Sequence, residues 1–160
     1  MRIAGIVRDS VVDGVGIRDV VFMQGCTHRC KGCHNQQTWD LNGGVHYFAG
    51  DVLKELSDSP NDITISGGEP MLQYDALISF LMVVKEFTQK KVWMYTGNTV
   101  DPDKNIYKFL AEYVDVIVDG KFVEELKDPT LRFRGSSNQR IIDLKQSVKE
   151  RKIVLWEDNR

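Results

Sequence analysis

Four short apolar runs in this chain are each closed by glycine or polar residues, and that rhythm limits the folds open to it. Val20-Val21-Phe22-Met23 leads into Gln24-Gly25-Cys26, and Ile63-Thr64-Ile65-Ser66 into Gly67-Gly68-Glu69-Pro70. Lys91–Tyr95 leads into Thr96-Gly97-Asn98, and Val114–Val118 into Asp119-Gly120-Lys121-Phe122. β-Branched and aromatic runs of this length read as buried strands. Between them, Asp51–Ser57, Tyr74–Phe87 and Ile106–Tyr113 carry apolar residues at helical spacing. In Tyr74–Phe87 the inward stripe is Leu77, Ile78, Leu81, Val84 and Phe87. Strands alternating with helices predict parallel βαβ units with right-handed crossovers. Parallel pairing brings the four strand ends to one rim, where open sheets and barrels place their active sites.

The outer segments are less regular. Ile3–Val7 reads as a short edge strand, Asp13-Gly14-Val15-Gly16 as a glycine turn, and Ile17–Met23 as the strand that feeds the cysteines. Arg140–Leu144 and Lys152–Trp156 read as two strands joined by a charged turn, Lys145–Arg151. At 160 residues the chain is one domain, 1–160, and shorter than a complete eight-fold barrel, which takes about 250 residues. The expected fold is α/β, a sheet of four or five strands or an incomplete (β/α) barrel with parallel strands. A net charge of -2 gives no bias toward nucleic acid or an acidic membrane surface. No leader and no apolar stretch of roughly 18–20 residues stands out, so the expected setting is the reducing cytoplasm.

In that setting clustered cysteines read as metal or redox chemistry and not as a disulfide framework. All three cysteines, Cys26, Cys30 and Cys33, lie on one loop with the spacing C-x-x-x-C-x-x-C. Three thiolates at a four-position centre leave one position for something other than protein. The loop alone permits three readings. Cys30-Lys31-Gly32-Cys33-His34 matches a haem-attachment pattern, but that leaves Cys26 idle and expects export. A zinc site would add His28 or His34, although Cys33 and His34 are adjacent and awkward on one ion. An iron–sulfur cluster uses the three cysteines alone. Gly67-Gly68-Glu69-Pro70 bears on this choice. Two glycines let a backbone edge approach a ligand, and the carboxylate beyond them can accept from an ammonium group. His28 and His46 otherwise read as surface residues, and Trp39, Trp93 and Trp156 as core or interface packing.

Together, the cysteine spacing and the Gly67-Gly68-Glu69-Pro70 segment resemble the signature of the radical S-adenosylmethionine superfamily. Asp13-Gly14-Val15-Gly16-Ile17-Arg18, the Gly25–Asn35 loop and Thr38-Trp39 resemble, more narrowly, the activating enzymes of glycyl radical enzymes. Val118–Phe122, Lys127-Asp128-Pro129 and Arg134–Gln139 are similar to the members that serve anaerobic ribonucleotide reductase. The resemblance runs from about Val12 to about Gln139, with one departure: Val15 stands where proline is usual.

The resemblance implies a barrel of the radical S-adenosylmethionine type and two cofactors, a [4Fe-4S] cluster on Cys26, Cys30 and Cys33, and S-adenosylmethionine on its fourth iron. Gly67, Gly68 and Glu69 would hold the methionyl amine, with Gly32, Cys33 and His34 near the adenine. Asp119 and Lys121 are read either as further polar contacts or as a solvated turn, and Arg134–Gln139 as part of a rim. Reductive cleavage of the cofactor would give a 5′-deoxyadenosyl radical, which takes a hydrogen from a glycine of the partner reductase. Another glycyl radical enzyme or a small-molecule substrate is the alternative target, and a zinc-stabilised binding module is the alternative from a different class. A small electron donor such as flavodoxin fits the family, which also leaves room for a homodimer.

Overall fold

The computed structural model of the chain describes residues 1–158. Among these residues the strands are β1 (Arg2–Ser10), β2 (Arg18–Met23), β3 (Val45–His46), β4 (Asp62–Gly67), β5 (Val92–Tyr95), β6 (Val116–Asp119) and β7 (Arg140–Asp143). The helices are α1 (Ala49–Glu55), α2 (Tyr74–Phe87), α3 (Asn105–Leu110) and α4 (Leu144–Glu150). All strands join one sheet in the order β3-β1-β2-β4-β5-β6-β7. The four runs closed by glycine or polar residues, β2, β4, β5 and β6, are mutually parallel and adjacent. Met23 lies opposite Gly67, so the cysteine loop and the double glycine leave the same edge of the sheet.

The fold is α/β as expected, but the sheet is mixed and larger. β1 pairs antiparallel with β2, and β7 pairs antiparallel with β6. The expected edge strand is interior, because the two-residue β3 pairs on its outer side. Ile3, 2% exposed, shows why: it packs into the core and needs cover on both flanks.

Strand alternation sorts the side chains onto two faces. On one, Val21, Met23, Ile63, Ile65, Met94 and Ile117 pack under the helices, against Leu77, Phe80, Leu81, Val84, Leu110 and Leu144. On the other, Trp93, Val116 and Val118 gather Val15, Phe133, Ile141 and Trp156. Buried Arg18 closes the lower end of that second face, donating from Nε to Thr64 Oγ1 at 2.6 Å and from Nη2 to the Ile63 carbonyl at 2.6 Å. Its Nη1 donates to the carbonyl of Val15 at 3.1 Å, so the departure from proline sits at a turn that the guanidinium holds.

α2 has the expected bounds, but its stripe ends at Val84, and Phe87 is 74% exposed. The tail departs from expectation. Lys145–Glu150 is helix, and 152–156 lies beside β7 through a single bridge, Ile142 to Leu155, rather than forming a strand. The cause is local. Asp143 caps the helix by accepting from the Gln146 N–H at 2.8 Å, and Arg151 closes it in a left-handed conformation at φ 56°. No helix among the described residues is long and apolar enough to cross a membrane.

Candidate iron–sulfur site

β2 carries the chain directly into the cysteine loop, whose ends are tied together. Gly25 N–H donates to Thr38 O at 2.7 Å and Cys26 N–H to Trp39 O at 3.2 Å. Cys26 is buried at the base, while Cys30 and Cys33 are half-buried and line a cavity of about 660 Å³. Burial, then the neighbouring Cys33 and Cys26, push the Cys30 thiol up; the Phe122 N–H and Lys121 oppose this. A thiol raised in this way is stabilised as a thiolate by concentrated positive charge, which a bound metal supplies.

Among the described residues no three His, Cys, Asp or Glu side chains are grouped closely enough to share a single metal ion.

The second strand end meets this loop backbone to backbone. Gly68 N–H donates to Met23 O at 2.8 Å and Glu69 N–H to Gly25 O at 2.8 Å. Gly67 has φ +100°, and a Cβ there would lie 2.5 Å from Met23 O. On Gly68 it would lie 2.2 Å from Gly25 O. Both glycines are thus required by the approach of two chain segments as well as by any ligand. Gly67 and Gly68 line the cavity; Glu69 does not, and it is 2% exposed.

The Glu69 carboxylate is filled from within the protein. Oε1 accepts from the Met71 N–H at 3.0 Å and the Thr96 hydroxyl at 2.8 Å. Oε2 accepts from the Gly97 N–H at 2.7 Å and stands 2.9 Å from His28 Nε2. Four donors account for about all the lone-pair sites of a carboxylate. His28, read from sequence as a surface residue, is therefore part of the rim, and Thr96 and Gly97 are rim residues the sequence reading passed over. Their signal was the one used for the others: they follow directly on an apolar run.

Asp119 and Lys121 part company. Asp119 shares the parity of Ile117, so its side chain turns to the helix-covered face, where Arg140 binds it through two nitrogens and the Val100 N–H donates at 2.7 Å. It is 1% exposed and stands away from the cavity lining. Lys121, beyond Gly120, lines the cavity with Phe122, whose ring lies 5.4 Å from that of His34. Arg134, Gly135 and Gln139 line the far side. There Gln139 Oε1 accepts from the Gly135 N–H at 3.0 Å, and Arg134 donates to Gln139 O at 2.6 Å. His46 is exposed on β3, Trp39 half-buried, and Trp93 and Trp156 pack edge to face at 5.2 Å.

Three thiols on a loop at the edge of an α/β sheet, beside a ligand-sized cavity, are the ligand set of a metal or iron–sulfur centre. The family described as "4Fe-4S single cluster domain" matches residues 12–142. Similar over 81% of the chain are three proteins named anaerobic ribonucleoside-triphosphate reductase-activating protein. Those of Haemophilus influenzae and Vibrio cholerae are 38% and 39% identical, each covered over 89% of its length. That of Enterobacteria phage T4 is 35% identical, covered over 86%. The chain belongs to the family of anaerobic ribonucleoside-triphosphate reductase-activating proteins.

Proposed function

We propose that this protein is a radical S-adenosylmethionine enzyme that installs a glycyl radical on an anaerobic ribonucleotide reductase. One observation carries the reading: Cys30, Cys33 and the Gly67–Gly68 edge face a single cavity of about 660 Å³. That volume suits a cofactor-sized ligand. Cys26, Cys30 and Cys33 would hold three irons of a [4Fe-4S] cluster and leave the fourth open. When both groups are bound, the chemistry supplied is one-electron cleavage of a sulfonium carbon–sulfur bond, giving methionine and a 5′-deoxyadenosyl radical that takes a hydrogen atom from a glycine Cα of the partner. A small donor of the flavodoxin kind provides the electron.

The protein's own part is to bind, orient and exclude water. Gly67 and Gly68 offer their backbone to the methionyl end, while Glu69 holds that turn in place and leaves ligand contact to its neighbours. Cys33 and His34, which line the cavity, would lie toward the adenine with Gly32 next to them in the loop but outside the lining, and the Lys121 ammonium would offset the cofactor carboxylate. Asp119, turned to the other face, is assigned a structural role with Arg140. The reductase is the partner because the relatives bear its name, and Arg134–Gln139 forms part of the mouth it would approach.

The test combines anaerobically reconstituted, reduced protein with S-adenosylmethionine and a candidate reductase, and looks for a glycyl radical by electron paramagnetic resonance. A radical that requires all three components is expected. A colourless protein that takes up one zinc and no iron would overturn the reading. A radical on another glycyl radical enzyme but not on the reductase would overturn the choice of partner.

A further inference from the structure

We infer that His28 is a positioning residue, which locks the cysteine loop to the rim of the sheet through Glu69 and a notch at Gly97. This rests on the function proposed above, because it concerns how the three thiols face the Gly67–Gly68 edge across the cavity. His28 lies between Cys26 and Cys30, and its side chain is only 16% exposed. Its Nε2 stands 2.9 Å from Glu69 Oε2, the Nε2–H tautomer giving that carboxylate its fourth donor. The remaining donors come from Met71, Thr96 and Gly97. One buried carboxylate thereby joins the ends of β2, β4 and β5.

Gly97 supplies the second, independent observation. Its φ lies outside the left-handed region, so the backbone conformation does not call for glycine. The space does: a Cβ there would lie 2.4 Å from His28 Cδ2 and 2.7 Å from Nε2. Gly97 is a socket for the imidazole. A histidine merely on the surface would need neither a socket nor a buried acceptor. Groups that orient a metal ligand without touching the metal typically change affinity or activity by about 10- to 100-fold when removed.

The experiment compares His28→Ala, His28→Gln, Gly97→Ala and the double variant His28→Ala/Gly97→Ala. Each is reconstituted anaerobically, its iron counted per chain, and its affinity for S-adenosylmethionine read from the change in the electron paramagnetic resonance spectrum of the reduced cluster. Expected for His28→Ala is affinity weakened by about 10- to 100-fold at full iron content, with much of it restored in His28→Gln, which keeps an N–H donor. Gly97→Ala should weaken binding in the wild-type background and do nothing further beside His28→Ala, since the atoms it collides with are gone. If His28→Ala takes up no iron, recovery of iron in His28→Gln supports the role, and no recovery overturns it. Wild-type affinity in iron-loaded His28→Ala overturns the role, as does a Gly97→Ala effect that simply adds to it. Wild-type protein that holds the cluster yet binds no S-adenosylmethionine removes the proposed function instead; the His28–Gly97 coupling is then read in iron content, where additivity overturns it.

Discussion

Gly68→Ala is the sharpest test of how the rim is built. The added Cβ would lie 2.2 Å from Gly25 O, 2.7 Å from Gly25 C and 3.1 Å from Thr38 O. All three are backbone atoms, so no side chain can swing aside. Reaching an ordinary contact requires the two segments to part by about 1 Å. That movement strains the Glu69 N–H to Gly25 O bond at 2.8 Å and the Gly25 N–H to Thr38 O bond at 2.7 Å. Overpacking costs about 1–3 kcal/mol and each weakened bond up to about 1 kcal/mol more, giving about 1–5 kcal/mol. For a chain of this size the melting temperature should fall on the order of 10 °C. The assay is thermal unfolding of the metal-free protein by circular dichroism, followed by iron content after reconstitution. Gly50→Ala is the control: a Cβ there meets nothing within 4 Å, and helix α1 should gain about 0.5–1 kcal/mol. A Gly68→Ala protein that melts with the wild type and takes up full iron would refute the reasoning.

Three further substitutions test other parts of the structure. Asp119→Ala strips Arg140 and the Val100 N–H of their acceptor; with Arg140 still reached by water, about 1–3 kcal/mol should be lost in urea unfolding, and affinity for S-adenosylmethionine in the loaded protein should hold. Asp143→Ala removes the cap on Gln146 N–H, and the urea midpoint should fall by the equivalent of about 1 kcal/mol without a change in slope. Phe87→Ser, at a position 74% exposed, should shift stability by no more than about 0.5 kcal/mol in the same assay.

The parallel centre of the sheet was legible in the sequence because β2, β4, β5 and β6 are short β-branched runs closed by glycine or polar residues. The antiparallel flanks were harder to read. β3 has two residues, Val45 and His46, too few for any periodic pattern, and without it β1 looks like an edge. In the tail, Arg140–Leu144 read correctly as strand up to its last residue, but Asp143 and Gln146 form a helix cap that the charged run behind them concealed. The cysteines were plain from spacing alone. His28 was not, because a histidine among surface-like neighbours has no periodicity to mark it, and its partner Glu69 is 41 residues away. Asp119 followed the rhythm of the strand ends but lies one residue too early, on the parity of Ile117 and not of Val118.

Glu69 shows how much of a motif can serve the protein's own assembly. The double glycine and the carboxylate suggest open room for a ligand, yet the positions their missing Cβ atoms would occupy are taken by Met23 and Gly25, and the carboxylate oxygens by four protein donors. Much of the constraint on this segment is therefore assembly of the rim. On the side of β4 and β5 the cysteine loop is held by buried hydrogen bonds, which are strong where water is excluded. On the side of β6 it is held by the Phe122 N–H at the Cys30 sulfur, the Phe122–His34 ring contact and the Lys31–Glu124 pair, with Lys31 83% exposed. An ion pair so exposed contributes little. The loop is consequently held by buried bonds along one flank and by more exposed contacts along the other. Cys30 and Cys33 stand on the stretch that reaches the more exposed flank, whereas Cys26 is buried at the base. A cluster bridging all three would stiffen the loop chiefly between Cys30 and His34, the part that faces Phe122.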